Sequence, residues 1–329
     1  MGLKKPVISV IMPCYNAEKY LGDAVRSFID NTISRDCELI IVNDGSTDRS
    51  GEIIKDLINT YKDYQIRCID IPNSGVSAAR NTGIREVRGE YMAFMDADDL
   101  YGKYYLEVLL DGIRKYKADA CLCLFATEEK QMTAGKVDAL EIKKRDLMDI
   151  LLYRKKRIAL WSILYRTDIM HGCNVFFPEN IKYGEDIGFI WDYVLNAARF
   201  ALSEGRYYYY RPAAGSATSK ATWQKTEILD VVGQITEKVR EKEPAYADRF
   251  VSYMVPRKII ALQKDYAGSG SKEYFKKLKQ QNDRKKIWPV ARSGQMKVRL
   301  AALAYIVSPE LFYFVFHHGA TGGKASYEK

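Results

Sequence analysis

Residues Tyr91–Asp99 read YMAFMDADD, an apolar run that stops at three carboxylates, Asp96, Asp98 and Asp99. Tyr91–Met95 has the continuous apolar character of a strand buried on both faces. Three more strands are expected upstream, two of them continuous apolar runs. Val7–Met12 (VISVIM) leads into Pro13-Cys14-Tyr15-Asn16, Leu39–Val42 (LIIV) into Asn43-Asp44-Gly45-Ser46-Thr47-Asp48, and Ile66–Ile71 into Pro72-Asn73-Ser74-Gly75. Between these runs lie stretches of helical periodicity, such as Ala17–Ile29 with Leu21, Ala24, Val25, Phe28 and Ile29, then Gly51–Tyr61 and Gly75–Val87. A helix over Tyr104–Tyr116 and a strand over Ala120–Phe125 follow. Strand alternating with helix predicts a parallel sheet with right-handed crossovers. The loops after the strands then gather at one edge, where ligands bind, and here that edge is polar and acidic.

The rest of the chain is read outward from that sheet. Residues 126–160 form a charged connection with the basic cluster Arg154-Lys155-Lys156-Arg157 and a helix over Leu147–Tyr153. Ala159–Tyr165 is apolar. Glu185-Asp186 opens a helix over Ile187–Ala198, and Tyr207–Tyr210 is an aromatic strand. From Trp223 on the pattern is helical. Two domains are expected, an α/β domain over 1–220 and a helical, basic region over 221–329.

Composition removes several function classes. At 47% hydrophobic and 28% charged residues, the 329-residue chain is ordinary for a globular protein. The formal net charge of +9 is uneven: residues 271–329 hold 12 basic and 4 acidic side chains, against 39 and 38 in residues 1–270. A basic nucleic-acid-binding body is therefore excluded. The six cysteines include no CxxC pair, and with three histidines no zinc-finger spacing arises, so buried free thiols in a reducing cytoplasm are expected. Val7–Met12 is too short for a secretory signal, and no 18-residue apolar run marks a membrane span; Leu300–Phe316 is broken by Ser308-Pro309-Glu310. Neither GxGxxG nor GxxxxGK[ST] is present.

The acidic run suits a hard cation. Strand alternation would turn Asp96 and Asp98 to one side, and carboxylates so close repel unless a cation such as Mg²⁺ or Mn²⁺ joins them, bridging the protein to a diphosphate. The alternative is an acidic first turn of the next helix, with Asp98 or Asp99 as its cap. Asp44, at a strand end, suits an imide N–H or a ribose hydroxyl. Arg80, one to two turns into a helix of small residues, suits a base or the carboxylates of the site, or a surface ion pair.

Together, VISVIMPCYNAEKYL, IIVNDGSTDRS, NSGVSAARNTGI and YMAFMDADD, in this order, resemble the inverting glycosyltransferases of family 2, of the bacterial polysaccharide-assembly type. The resemblance is strong over residues 7–100, extends to about 220 and does not reach the C-terminal region. It implies a GT-A-like (Rossmann-like) α/β fold with a mostly parallel sheet flanked by helices. It also implies a nucleotide-sugar donor, usually a UDP-sugar, a divalent cation (Mn²⁺ or Mg²⁺), and a glycan or lipid-linked glycan acceptor. Carried to this sequence, it places Pro13, Asn16 and Glu18 at the nucleotide pocket, Asp44 and Arg80 on the uracil, Asp96 on the ribose or sugar, and Asp98 on the metal. Asp99 matches a frequent additional acid. Asp186 matches the general base and Glu185 its neighbour toward the acceptor. Tyr208–Arg211, Ser216 and Thr218 match a loop over the donor diphosphate. Rival readings are a sugar-nucleotide nucleotidyltransferase, which would carry a Gly-rich basic segment where Pro13–Glu18 stands, and a non-catalytic binding module.

In the tail, ten basic residues from Lys272 to Arg299 are opposed only by Glu273 and Asp283, and the apolar, aromatic Leu300–Phe316 follows. That combination suits an anionic membrane surface, giving a cytoplasmic protein peripheral to the inner face of the membrane. A helical face packed back on the α/β domain is the alternative, and nucleic acid a third, though no binding-fold signature accompanies the charge.

Overall fold

A computed structural model of the protein describes residues 5–212, 221–292 and 295–321. The elements run β1 (Ile8–Cys14), α1 (Leu21–Ile29), β2 (Cys37–Asp44), α2 (Ser50–Thr60), β3 (Gln65–Ile71), α3 (Val76–Arg85), β4 (Tyr91–Phe94), β5 (Leu100–Tyr101) and α4 (Tyr105–Tyr116). They continue with β6 (Ala120–Ala126), β7 (Leu140–Ile142), α5 (Lys144–Tyr153), β8 (Ile163–Arg166), α6 (Thr167–Gly172), α7 (Glu185–Asn196) and β9 (Phe200–Tyr209). After these come α8 (Glu227–Lys242), α9 (Pro244–Gly268), α10 (Lys272–Gln281), α11 (Trp288–Arg292), α12 (Met296–Val307) and α13 (Pro309–Thr321).

The strands form one sheet in the order β3-β2-β1-β4-β8-β6-β9-β5, with β7 beside β9. β1 is parallel to both β2 and β4, and β2 to β3, as the alternation of strand and helix predicts. β1, β2 and β4 are buried because helices cover them, whereas β3, at the end of the sheet, is half-buried. On α1, Leu21, Ala24, Val25 and Phe28 repeat at helical spacing and are all buried. On α3, a Cβ at Gly83 would lie 2.3 Å from Ile11 Cγ2, so only glycine lets that helix sit so close to β1.

The sheet is not parallel throughout. β8 runs antiparallel to both β4 and β6, with Met92 opposite Tyr165 and Cys121 opposite Leu164. β5 and β7 run antiparallel to β9. Apolar periodicity marks a buried strand but carries no direction, so the reversal is invisible in the sequence. The fold is otherwise the expected α/β sheet flanked by helices, followed by a helical C-terminal region.

The described chain divides into two compact units. The first takes residues up to 148, 156–180 and 186–212; the second takes 149–155, 181–185 and those from 221 on. In the first, an aromatic cluster backs the C-terminal half of β4: Phe94 meets Tyr165, Phe177 and Phe189 edge-on at 5.9, 5.5 and 5.4 Å. Among its described residues beyond 221 the second has helices and their connections, and packs Phe275, Tyr305 and Phe312 together, with ring centroids 5.4–6.3 Å apart. Among the described residues no helix is long and apolar enough to cross a membrane. Four cysteines are buried, Cys68 is half-buried and Cys173 exposed, all as free thiols.

Candidate active site

The loops after β1 and β2 are laced to each other. Asn16 adopts φ +49°, and its Oδ1 accepts the Thr47 N–H at 2.8 Å while its own N–H donates to Ser46 Oγ at 3.1 Å. The Glu18 N–H donates to Asp48 Oδ2 at 3.1 Å and Glu18 Oε2 accepts the Arg49 N–H at 3.0 Å. Asn16 and Glu18 thus hold the two loops as one platform, beside the half-buried Pro13. Much of the Asn43–Asp48 polarity has this local use.

Asp44 closes β2 and is buried. Its Oδ1 accepts the Ser74 N–H at 2.7 Å and its Oδ2 the Gly75 N–H at 2.9 Å. Asp44 therefore fixes the turn into α3, and each of its oxygens keeps a second lone pair. Gly45 (φ +65°) allows this contact, since a Cβ there would stand 2.7 Å from the Asn73 nitrogen.

From α3, Arg80 is buried and its Nη2 donates to Asp96 Oδ1 at 3.0 Å. The guanidinium lies over the Phe177 ring at 5.3 Å. Beside it, Asn81 accepts the Phe177 N–H and donates to the Phe177 carbonyl, both at 2.9 Å. Sequence reading singled out Arg80 and passed over Asn81, whose amide fixes the surface under Arg80. Its place in NSGVSAARNTGI was the available signal.

The acidic run does not continue the strand. β4 ends at Phe94, and Asp96–Asp99 form a turn in which the Asp99 N–H donates to the Asp96 carbonyl at 3.2 Å. The alternation argument for Asp96 and Asp98 is therefore corrected: a turn, not a strand, sets their directions. Asp96 and Asp98 are half-buried at the edge, whereas Asp99 is fully buried. Asp99 accepts the Tyr208 hydroxyl and the Arg211 N–H, both at 2.8 Å. The Tyr208 oxygen also accepts the Asp96 N–H at 3.1 Å. Burial, then the charges of Asp96 and Asp98, push the Asp99 carboxyl well above the usual carboxylate range. Asp99 is thus the anchor of the turn. Tyr208, held between Trp161 (stacked at 4.0 Å) and Tyr101, is a positioning residue. The sequence groups it with Arg211 in a loop over the diphosphate, whereas the structure sets it within β9, bonded to the acidic turn.

Arg211 follows β9, with its guanidinium over Tyr20 at 4.6 Å and 3.7 Å from Asp23 Oδ2. Ser216 and Thr218 lie outside the described residues. Asp186 is the second residue of α7, half-buried, with no hydrogen-bond or ion-pair partner among the described residues. Glu185, also half-buried, opens the helix.

Among the described residues, no three His, Cys, Asp or Glu side chains converge as a complete metal cage. The donor set still fits a hard cation that travels with a diphosphate, since Mg²⁺ in such sites takes one or two protein carboxylates and completes its shell with phosphate oxygens and water. Asp98, half-buried and not the carboxylate committed to Tyr208 and Arg211, is the residue of that turn that could hold such a cation.

Fold and edge together define an α/β protein of the GT-A-like class, with its polar turns collected at the C-terminal ends of parallel strands. The chain belongs to Glycosyl transferase family 2, whose profile matches residues 9–175. It is 32% identical over 220 residues to the uncharacterised glycosyltransferase EpsJ of Bacillus subtilis, covering 65% of this chain and 63% of that one. It is 26% identical over 255 residues to the poly(ribitol-phosphate) beta-N-acetylglucosaminyltransferase TarS of Staphylococcus aureus, covering 76% and 44%. The chain therefore spans less than two thirds of the length of either relative. Among solved structures, S. aureus TarS 1–349 in complex with UDP aligns with TM-score 0.64 at 19% identity, covering 98% of this chain and 93% of that one. The mannosyltransferase PcManGT from Pyrobaculum calidifontis, in complex with GDP-Man and Mn²⁺, aligns with TM-score 0.57 at 14% identity, covering 98% and 89%. At these identities the structural likeness speaks for the fold.

Proposed function

We propose that this protein is a metal-dependent, inverting glycosyltransferase that moves a sugar from a UDP-sugar to a hydroxyl of a glycan or lipid-linked glycan in bacterial cell-surface polysaccharide assembly. The observation that carries this reading is the acidic turn Asp96–Asp99, held at the strand edge by Arg80 on one side and Tyr208 on the other. The UDP preference rests on the S. aureus TarS structures, solved with UDP and with UDP-GlcNAc.

In this mechanism Pro13, Asn16, Glu18, Asp44 and Arg80 hold the nucleoside, and Asp96 faces the ribose or sugar. Asp98 would hold a Mg²⁺ or Mn²⁺, which when bound neutralises charge growing on the leaving diphosphate. Asp186 takes the proton of the acceptor hydroxyl as its oxygen bonds to the anomeric carbon. The carbon–phosphate oxygen bond breaks in the same displacement, so an α-linked donor gives a β-linked product and free UDP. Glu185 lies toward the acceptor, and Arg211, Ser216 and Thr218 belong to a loop over the diphosphate. Residues 1–220 form the catalytic domain, and residues 271–329 of the helical region dock on the anionic inner face of the membrane.

The test is UDP release from UDP-GlcNAc and other UDP-sugars, with Mn²⁺ and with a chelator. Metal-dependent release that Asp98→Ala abolishes supports the reading. Undiminished release by Asp98→Ala, or release unaffected by chelation, overturns the metal assignment; failure to bind any UDP-sugar overturns the donor assignment.

A further inference from the structure

The helix α12 has its polarity inverted for a surface helix. Met296, Leu300, Leu303 and Val307 are spaced by four, three and four residues, which places them in one row along the helix. All four are exposed, Met296 at 62% and Val307 at 76%. The opposite side is already satisfied, since Ala301, Ala302 and Tyr305 are buried. A helix apolar on both sides, with one side in water, marks an interface rather than a fold requirement. Past the break at Ser308, α13 repeats the arrangement, with Leu311, Phe314 and Val315 exposed and Phe312 buried.

The charges around this row have one sign. From Arg284 to Thr321 the one acidic residue is Glu310, and its carboxylate is engaged by Lys279 Nζ. Lys297, next to the first residue of the row, is exposed, as are Arg292, Lys285 and Lys286. Gln295 Nε2 donates to the Arg154 carbonyl at 2.6 Å, which brings the exposed Arg154 to the start of α12, while its neighbour Lys155 is paired with Asp149 at 3.7 Å. Trp288, 42% exposed beneath the Arg292 guanidinium, adds an amphipathic ring of the kind that settles at headgroup level.

We infer that the exposed row of α12, continued by α13, is the surface by which this protein lies on an anionic lipid bilayer, its apolar side chains entering the interface and its basic residues facing the headgroups. Charge complementarity decides for lipid: a protein partner would have to supply a surface almost free of basic groups, whereas an anionic leaflet supplies negative charge along the whole row. The inference refines the docking read above for residues 271–329, and does not depend on the transferase reading.

The experiment is co-sedimentation of the full-length protein with phosphatidylcholine vesicles, with and without phosphatidylglycerol. Binding is expected only with phosphatidylglycerol, weakening as salt is raised. Leu300→Ser/Val307→Ser and Lys285→Ala/Lys286→Ala should each reduce it by about tenfold or more. All four positions are exposed, so the far-ultraviolet circular dichroism of the variants should match the parent. Equal binding to both vesicle types, binding unchanged in Leu300→Ser/Val307→Ser, or a dimer in solution that the same substitution dissolves would each overturn the inference. Asp98→Ala should bind vesicles as the parent does, and donor turnover measured without vesicles reports on the transferase reading separately.

Discussion

The two units solve opposite problems with polar groups. At the sheet edge of the first, carboxylates and amides are bonded to one another: Asp44 to the 74–75 amides, Asn16 to Thr47, Arg80 to Asp96, Asp99 to Tyr208 and Arg211. In the second, helices bury one face and leave apolar side chains outside beside basic ones. A buried polar network fixes geometry, because each group left unpaired carries a desolvation penalty. An exposed apolar row fixes nothing by itself and needs something outside the chain. The contrast teaches that the first unit spends its polar groups on fixing one another, while the second leaves an apolar row that nothing in its own chain covers.

The contrast breaks most sharply on Asp186. Asp186→Asn should lower the rate of sugar transfer by about 10²–10⁴-fold, the usual range for a general base, with UDP binding retained in thermal-shift titration. Near-parental transfer by purified Asp186→Asn would remove the base from the first unit.

Next come the two cores. Phe189→Ala, in the cluster with Phe94, Tyr165 and Phe177, and Phe312→Ala, between Phe275 and Tyr305, should each destabilise by about 3–5 kcal/mol in denaturant unfolding. Only Phe189→Ala should also weaken UDP binding, because its cluster backs the acidic turn. Equal loss of UDP affinity in both variants would erase the division of labour.

A smaller effect tests the polar network. Tyr208→Phe leaves the buried Asp99 carboxyl without one donor and should cost about 1–3 kcal/mol. Asp99 itself gives a pH signature. Its carboxyl is raised by burial first and by Asp96 and Asp98 next, so the stability it contributes is full below about 3.9, the unfolded value, and is lost as pH rises through the higher folded value. Asp99→Asn keeps the acceptor without the charge. With a chelator present, the Tm difference between Asp99→Asn and the parent should shift in favour of the variant from acid to neutral pH; a difference that stays flat would assign Asp99 an ordinary carboxylate. Least of all, maleimide should label Cys173 first in the native protein, with transfer unchanged.

Much of this was legible in the sequence, for identifiable reasons. The strands β1, β2 and β4 are buried on both faces, so their apolar runs had no competing explanation, and the motifs follow them directly. Asp44, Arg80 and Asp98 were singled out because their residue types sit at strand ends or a helix start. What escaped depended on partners distant in sequence. The reversed direction of β8 follows from the path of the chain through residues 126–162, not from its own four residues. Asp99 and Asp98 look equivalent in DADD, and only Tyr208 and Arg211 separate the buried anchor from the half-buried Asp98. The basic tail was evident as charge, but the row on α12 appears only when burial separates Leu300 and Val307 from Ala301 and Tyr305.

The bonds from Tyr208 and Arg211 to Asp99 span 109 and 112 residues. A nascent chain emerging at about 5–20 residues per second needs on the order of ten seconds to deliver the second half of this arrangement after the first. During that interval the turn has its carboxylates but not the hydroxyl and amide that orient them. The acidic edge is therefore finished late in synthesis, when the last strand docks, and its assembly is a slow, non-local step that sets the earliest moment at which the turn is complete.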